Sequence, residues 1–338
     1  MAQRWAGRAP FLWHPTTRDV GVCRVGKPGH GVPVKNLGKV IRSVRAFGRE
    51  LSRKANGTEG SIPTLGVALG GGFARGIAHV GVLKVLEEEG IPVRFIAGTS
   101  VGALIGAAYC SGVSIAELED MACKVRFTTF ARWTLSRYGF ANNDRMVSFL
   151  TRTLKAKTFE DLRIPLGVVA TDFNTGQGAV FRKGALIDPV RASCAYPGMF
   201  LPVNVDGRCF VDGMLSHPVP VRPVRQMGAQ RVLAVNLKGS WSSKNAPRHL
   251  FDVIGQSFAI AQDQMSHRWR GGADLVIEPD VASFNFDDFK RAGDLIRVGE
   301  LAMREALPAV RKWFELPAAK PAERFGSPIP SPASVPVD

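Results

Sequence analysis

The spacing in this 338-residue chain that most invites chemistry is Gly98-Thr99-Ser100-Val101-Gly102, a G-x-S-x-G. Between a strand and a helix, such a pattern seats the serine hydroxyl on a sharp turn. The flanking glycines permit the turn and keep bulk away from Oγ. The following helix points its amide-rich N-terminus at the site, which favours developing negative charge. The same residues lie in an uncharged run from Phe95 to Ala116, long enough to cross a bilayer, for which roughly 20 apolar residues suffice. Gly102-x-x-x-Gly106 even has the spacing of closely packed membrane helices. However, Gly98, Gly102, Gly106, Gly112, Thr99, Ser100 and Ser111 leave the run short of large apolar side chains. Strand, elbow and buried helix is the expected reading, not a membrane span.

Upstream, "LGGGFARGIAHVG" (69–81) carries Gly70, Gly71, Gly72 and Gly76 directly after an apolar run. A dinucleotide loop does not fit, because Arg75 stands where G-x-G-x-x-G needs its third glycine. A Walker loop fails because Ile77 stands where lysine is required. Glycine amides after a strand can instead form a nest for an oxyanion, with Arg75 as a fixed positive charge beside it.

A serine nucleophile needs a base. The six histidines are 14, 30, 79, 217, 249 and 267. His79 reads as a packed histidine on the helix after the glycine loop, and His249 and His267 lie in a polar helical stretch. His217 is the serious histidine candidate, five residues after Asp212 in "FVDGMLSHPVPV". Asp212-Gly213 closes a short apolar run and so places a carboxylate at a strand end, where α/β active sites collect their groups. Asp172 in "TDFNTG" reads first as an Asx-type turn organiser and second as a carboxylate near the site.

These groups need a frame. Apolar runs predict strands at 65–69, 93–98, 165–170, 178–182, 208–211, 231–237 and 274–277. Helical spacing predicts helices after Gly76 and at about 115–125, 144–155, 187–195, 249–269 and 287–314. Alternating strands and helices mean an α/β fold with a largely parallel sheet. The expected domain covers 61–316. Residues 1–60 form a basic extension, with an amphipathic helix over 37–54. Residues 317–338, with six prolines, form a tail. Of the formal net charge of +15, +9 lies in the first 60 residues, twelve Lys/Arg against three Asp/Glu. Five cysteines without a C-x-x-C pair fit neither a disulfide framework nor a zinc knuckle, and Cys110, Cys123, Cys194 and Cys209 are expected as reduced core residues. The early arginines precede only the four-residue apolar run "PFLW", so no secretory signal is expected.

Four blocks, in order, resemble the patatin-like phospholipases, in particular their bacterial members. "GGGFARG" (70–76) is similar to that family's oxyanion motif and "GTSVG" (98–102) to its nucleophile motif. "ATDFNTG" (170–176) with "RASCAYPGMFLPV" (191–203) is similar to its central segment, and "VDGM" (211–214) to its aspartate motif. The resemblance covers about residues 65–240 and implies a three-layer α/β fold with a mainly parallel central sheet. It also implies hydrolysis of fatty-acyl esters of lipids through a Ser100–Asp212 dyad without histidine, metal or cofactor. Gly70, Gly71, Gly72, Arg75 and Gly76 would form the oxyanion hole, the Gly71 and Gly72 amides donating, and Gly98 and Gly102 the elbow. One residue departs from the pattern: Met214 stands where the family usually has glycine or alanine. A bulky side chain there either faces the core or narrows the acyl site, and it keeps open a second reading as a non-enzymatic membrane-associated regulatory protein.

The 37–54 helix would lay apolar residues into an anionic membrane surface while Arg and Lys meet headgroups. Nucleic acid is not expected, since the basic residues are not interleaved with stacking aromatics. The expected location is cytoplasmic, peripheral at the inner membrane face. The native lipid, its headgroup and the oligomeric state do not follow from the sequence.

Overall fold

The computed structural model describes residues 62–130, 132–136, 139–238 and 250–315. The expected helix at 37–54 and the proline-rich tail lie outside the described residues.

The strands are β1 (Leu65–Leu69), β2 (Val93–Thr99), β3 (Arg132–Ser136), β4 (Gly139–Asn142), β5 (Leu166–Asp172), β6 (Gly178–Phe181), β7 (Val203–Val205), β8 (Arg208–Asp212), β9 (Arg231–Val235) and β10 (Leu275–Ile277). The main helices are α1 (Ala78–Glu88), α2 (Val101–Cys110), α3 (Ile115–Lys124), α4 (Asp144–Thr153), α5 (Ile187–Ser193), α6 (Val221–Gln226), α7 (Leu250–Arg270) and α8 (Ala292–Arg311). Single turns at Phe73–Ile77 and Phe127–Phe130 connect them.

The central sheet runs β10-β9-β1-β2-β5-β8-β7, with β6 also paired to β5. Pairing is parallel from β10 through β5, and antiparallel for β6, β7 and β8. Side chains alternate across the strands. Leu65, Val67, Leu69, Leu233 and Val235 pack into a large core with α1, α2 and α8. Ala68, Val232 and Ala234 face the other way, toward Val221 and Val224 of α6 and Trp269 of α7. Small residues on that second face let α6 lie close: a Cβ on Gly66 would meet Val224 at 2.6 Å. Helices therefore cover both faces, and the layers match the α/β expectation.

The uncharged run divides as expected. Its first part completes β2, its middle is the ten-residue α2, and Gly112 turns the chain at φ +94° before α3. No helix among the described residues is long and apolar enough to cross a membrane. Cys110 and Cys194 are buried and Cys209 half-buried, but Cys123, expected in the core, is exposed. It lies on the outer face of α3, opposite the stripe of Leu118 and Ala122. The β3–β4 hairpin, β7 and α6 were not expected from the sequence.

Candidate active site

Strand β5 brings the two key residues together. Along one edge it pairs with β2 through Leu166–Val169, ending at Thr99↔Val169. One residue further, Ala170 pairs with Asp212 of the antiparallel β8. Strand β6 pairs across Val168–Thr171 and so occupies the opposite edge. The C-terminal ends of β2 and β8 thus meet head to head on β5, which puts Ser100 beside Asp212. The Ser100 hydroxyl donates to Asp212 Oδ2 at 2.7 Å.

Ser100 holds φ +55° and ψ −124°. A side-chain-bearing residue in this region stores strain that the surroundings must offset. They do so with specific contacts. Ser100 N donates to Ser193 Oγ at 2.8 Å, and Ser193 Oγ donates to Val169 O at 2.5 Å, so α5 ties the elbow to β5. Glycine is required on both sides of Ser100. A Cβ on Gly98 would lie 2.4 Å from Gly102 O, and one on Gly102 would lie 2.3 Å from Leu69 O. Ala103 and Leu104 amides donate to Ser100 O at 2.9 and 3.1 Å. The Val101 and Gly102 amides then stand in the first turn of α2, where no intrahelical acceptor exists.

Asp212 is fully buried. Burial pushes its carboxyl up to about 7, against the lowering effect of hydrogen bonds from the Met214 amide and Ser100. Oδ1 accepts from Met214 N at 2.9 Å. The Asp212 backbone is held by Asp212 N donating to Ala195 O (2.9 Å) and Thr171 Oγ1 donating to Asp212 O (2.9 Å). Gly213 must be glycine, because a Cβ there would sit 2.2 Å from Val169 O.

The glycine loop needs correcting. The Gly71 amide, expected toward an oxyanion, donates instead to Pro218 O, and the amide of Gly70, also expected in the oxyanion hole, donates to Val235 O, each at 3.1 Å. The Gly70 bond extends the β1–β9 ladder one residue past Leu69, and the Gly71 bond pins the loop to the turn after β8. The Gly72 amide donates to no acceptor among the described residues. Gly76 packs flat on Val101, where a Cβ would meet its side chain at 2.2 Å. Arg75 is buried, and burial lowers its guanidinium, opposed by the Asp288 carboxylate. His79, also fully buried, donates from Nε2 to Gly70 O at 2.8 Å, and burial lowers its imidazole to about 4. It is a neutral clamp on the loop.

His217 does not join Ser100 and Asp212. Its ring packs where a Cβ on Gly178 would be, and its Nδ1 has no partner among the described residues. Only its backbone oxygen reaches the elbow, accepting from Thr99 Oγ1 at 2.8 Å. Asp172 is a turn organiser: Oδ1 accepts from the Asn174 and Thr175 amides, and Oδ2 pairs with Arg208 at 2.7 Å. These bonds, the Thr175 amide first, hold its carboxyl below the usual range.

Two cavities meet at Phe73, another side-chain-bearing residue at positive φ (+52°), whose ring packs edge-on against Tyr196. One cavity, of about 110 Å³, starts at Ser100 and is almost wholly apolar, running along Val101, Leu104, Ile105 and Ala108 of α2. The other, of about 650 Å³, is a cleft of mixed polar and apolar lining bordered by Gly71, Gly72, Arg75, Met214 and Lys238. Met214 therefore lines the cleft and not the apolar cavity, its side chain lying over Gly71. Cys194 borders the apolar cavity, but burial and then the Asp212 charge push its thiol up, so it stays protonated. Ser193 escaped the sequence reading: it lies in the quoted "RASCAYPG" block, but nothing in a lone serine marks it as an elbow anchor. Nor did the Val101 amide or the apolar cavity stand out.

Residues 67–225 match the model of the family described as patatin-like phospholipase. An uncharacterized NTE family protein of Mycobacterium tuberculosis is 35% identical over 183 residues, covering 53% of this chain and 51% of that protein. A lysophospholipase NTE1 of Mycosarcoma maydis is 28% identical over 275 residues, covering 78% of this chain and 14% of that protein. This chain thus spans about half the length of the mycobacterial relative. The crystal structure of VipD from Legionella pneumophila shares the fold, with a TM-score of 0.51 at 15% identity over 74% of this chain and 67% of that one. The ordered motifs, the sheet and the matched family together identify residues 67–225 as a patatin-like phospholipase domain.

Proposed function

We propose that this chain is a serine acyl hydrolase that cleaves fatty-acyl esters of lipids, phospholipids among them, through a Ser100–Asp212 dyad. The observation that carries this reading is the 2.7 Å hydrogen bond from Ser100 Oγ to a fully buried carboxylate, at the mouth of an apolar cavity. The lysophospholipase name of the Mycosarcoma maydis relative supports the same substrate class.

An ordinary aspartate, near ~3.9, is too weak a base to take a serine proton readily. Burial of Asp212 raises it to about 7, close to a working general base. As Ser100 Oγ attacks the ester carbonyl carbon, its proton passes to Asp212 Oδ2. The tetrahedral oxyanion accepts from the Gly72 amide and from the Val101 amide at the α2 N-terminus, with the Arg75 charge behind the loop. Each such donor is typically worth about 2.7–4 kcal/mol of barrier. Collapse breaks the acyl C–O bond and the departing alcohol takes the proton from Asp212. Water then attacks the acyl group on Ser100, again giving its proton to Asp212, and the freed serine recovers it as the fatty acid leaves.

A fluorophosphonate probe tests the nucleophile: it labels the wild type covalently and fails to label Ser100→Ala. A folded wild type that resists the probe would sink the enzymatic reading. The non-enzymatic alternative drew on Met214, which lines the larger cleft and not the apolar cavity. The domain over 61–316 would work at an anionic membrane surface, on the cytoplasmic side, with 37–54 as the contact. Deleting 1–60 would weaken binding to anionic liposomes and spare hydrolysis of a soluble ester. Unchanged, salt-insensitive liposome binding by the truncated protein would rule that contact out.

A further inference from the structure

The apolar cavity that Ser100 lines has a direction. Three helices supply about half of its lining, each with a single stripe. Val101, Leu104, Ile105 and Ala108 run along α2; Leu118, Met121 and Ala122 along α3; Met146, Phe149, Leu150 and Thr153 along α4. Each set repeats at three and four residues, so the slot runs along the helix axes and does not cross them. Ser100, Phe73 and Cys194 mark one end. At the other, Lys155 N donates to the buried Ser111 Oγ at 3.2 Å, tying the chain after α4 to the residue after α2. Ala108 and Leu118, 3% and 4% exposed, are the lining residues of α2 and α3 nearest in sequence to that tie.

We propose that this slot is a length gauge for a single saturated acyl chain, and that Ala108 and Leu118 set its limit. The proposal rests on the acyl-hydrolase reading above and adds the chain length. From Ser100 to Ala108 the slot follows eight residues of helix, about 12 Å at 1.5 Å per residue, the span of an extended hydrocarbon of roughly ten carbons. Methylenes beyond that length find no further room in the slot and gain little burial.

Two measurements test it. With p-nitrophenyl esters from butyrate to palmitate, kcat/KM rises about fourfold per added CH₂ and flattens near ten carbons. In Ala108→Leu the ratio of decanoate to butyrate kcat/KM falls by roughly tenfold or more, and in Leu118→Ala the break moves to longer chains. The second measurement needs no turnover: titration of saturated fatty acids into Ser100→Ala protein shows the same break near ten carbons. A ratio unmoved by both substitutions, or affinity that climbs steadily to palmitate, overturns the gauge. Fatty-acid binding with the break in place, but no Ser100-dependent hydrolysis of any ester, upholds the gauge and overturns the hydrolase reading.

Discussion

In the parallel part of the sheet, from β10 to β5, every C-terminal end points the same way. In the antiparallel part, β8 runs back along the edge that β2 vacates. The first arrangement gives Ser100 its elbow and an α2 N-terminus behind it. The second gives what a parallel neighbour could not: a strand whose C-terminal end meets the end of β2 face to face on β5. A parallel strand there would present its N-terminal end to Ser100 and carry its last residue away from it. The two proposed catalytic groups therefore come from opposite strand directions, and their separation is set by one register step, Val169 to Ala170.

The largest effect comes from removing either half. Ser100→Ala and Asp212→Asn each lower kcat by about 10³-fold or more on a soluble ester, whereas His217→Ala stays within about threefold. A severe loss in His217→Ala with an active Asp212→Asn would transfer the base to histidine. Shifting the register without touching either group comes next. Gly213→Ala drives a Cβ against Val169 O and should cost about 10²-fold in kcat, since misplacement by about 1 Å is enough for that. Wild-type turnover in this variant would mean that the β5 register does not position the carboxylate.

The buried carboxyl sharpens the comparison through pH. kcat/KM falls about tenfold per pH unit below about 7, as Asp212 takes up its proton. Because its folded value lies above the unfolded one, its contribution to stability is complete below about 4 and is lost as pH rises to about 7. The charge buried above that point is worth as much as about 4 kcal/mol. Thermal melts at pH 8 should therefore show Asp212→Asn more stable than wild type, with the difference gone near pH 4. An activity profile flat from pH 5 to 8 would remove Asp212 as the base. Ser193→Ala breaks the tie between the elbow and β5. It should cost about 1–3 kcal/mol in a denaturant titration by leaving Ser100 N and Val169 O unpaired, with kcat down about tenfold. The smallest change is expected of Met214→Ala, within about threefold in kcat/KM for a medium-chain ester, because its side chain lies over Gly71 and not in the acyl slot.

The parallel strands were legible because each is a short apolar run bounded by glycine, proline or a polar turn. Ser100 stood out because a glycine-flanked serine after such a run has one mechanical use. Asp212 was visible as a carboxylate at a strand end. The Gly71 amide was misjudged because a glycine looks alike whether its N–H faces a ligand or a neighbouring carbonyl. Val235 and Pro218, which accept from Gly70 and Gly71, lie about 150 residues further along the chain. Ser193 carried no signal for the same reason: its partners, Ser100 and Val169, are local only in space. The β3–β4 hairpin and β7 are too short and too mixed in composition to stand out as alternating runs.

The chain order alone determined the strand types, the elbow and the matched family motifs, since these follow from side-chain periodicity and from the conformations glycine permits. Only the tertiary structure decided that Asp212 and not His217 faces Ser100, that the carboxyl is dry enough to hold a proton near neutrality, and that α2, α3 and α4 leave a slot between them. Those outcomes depend on strand direction, register and burial, which are set when segments distant in sequence compete for the same edge and the same core.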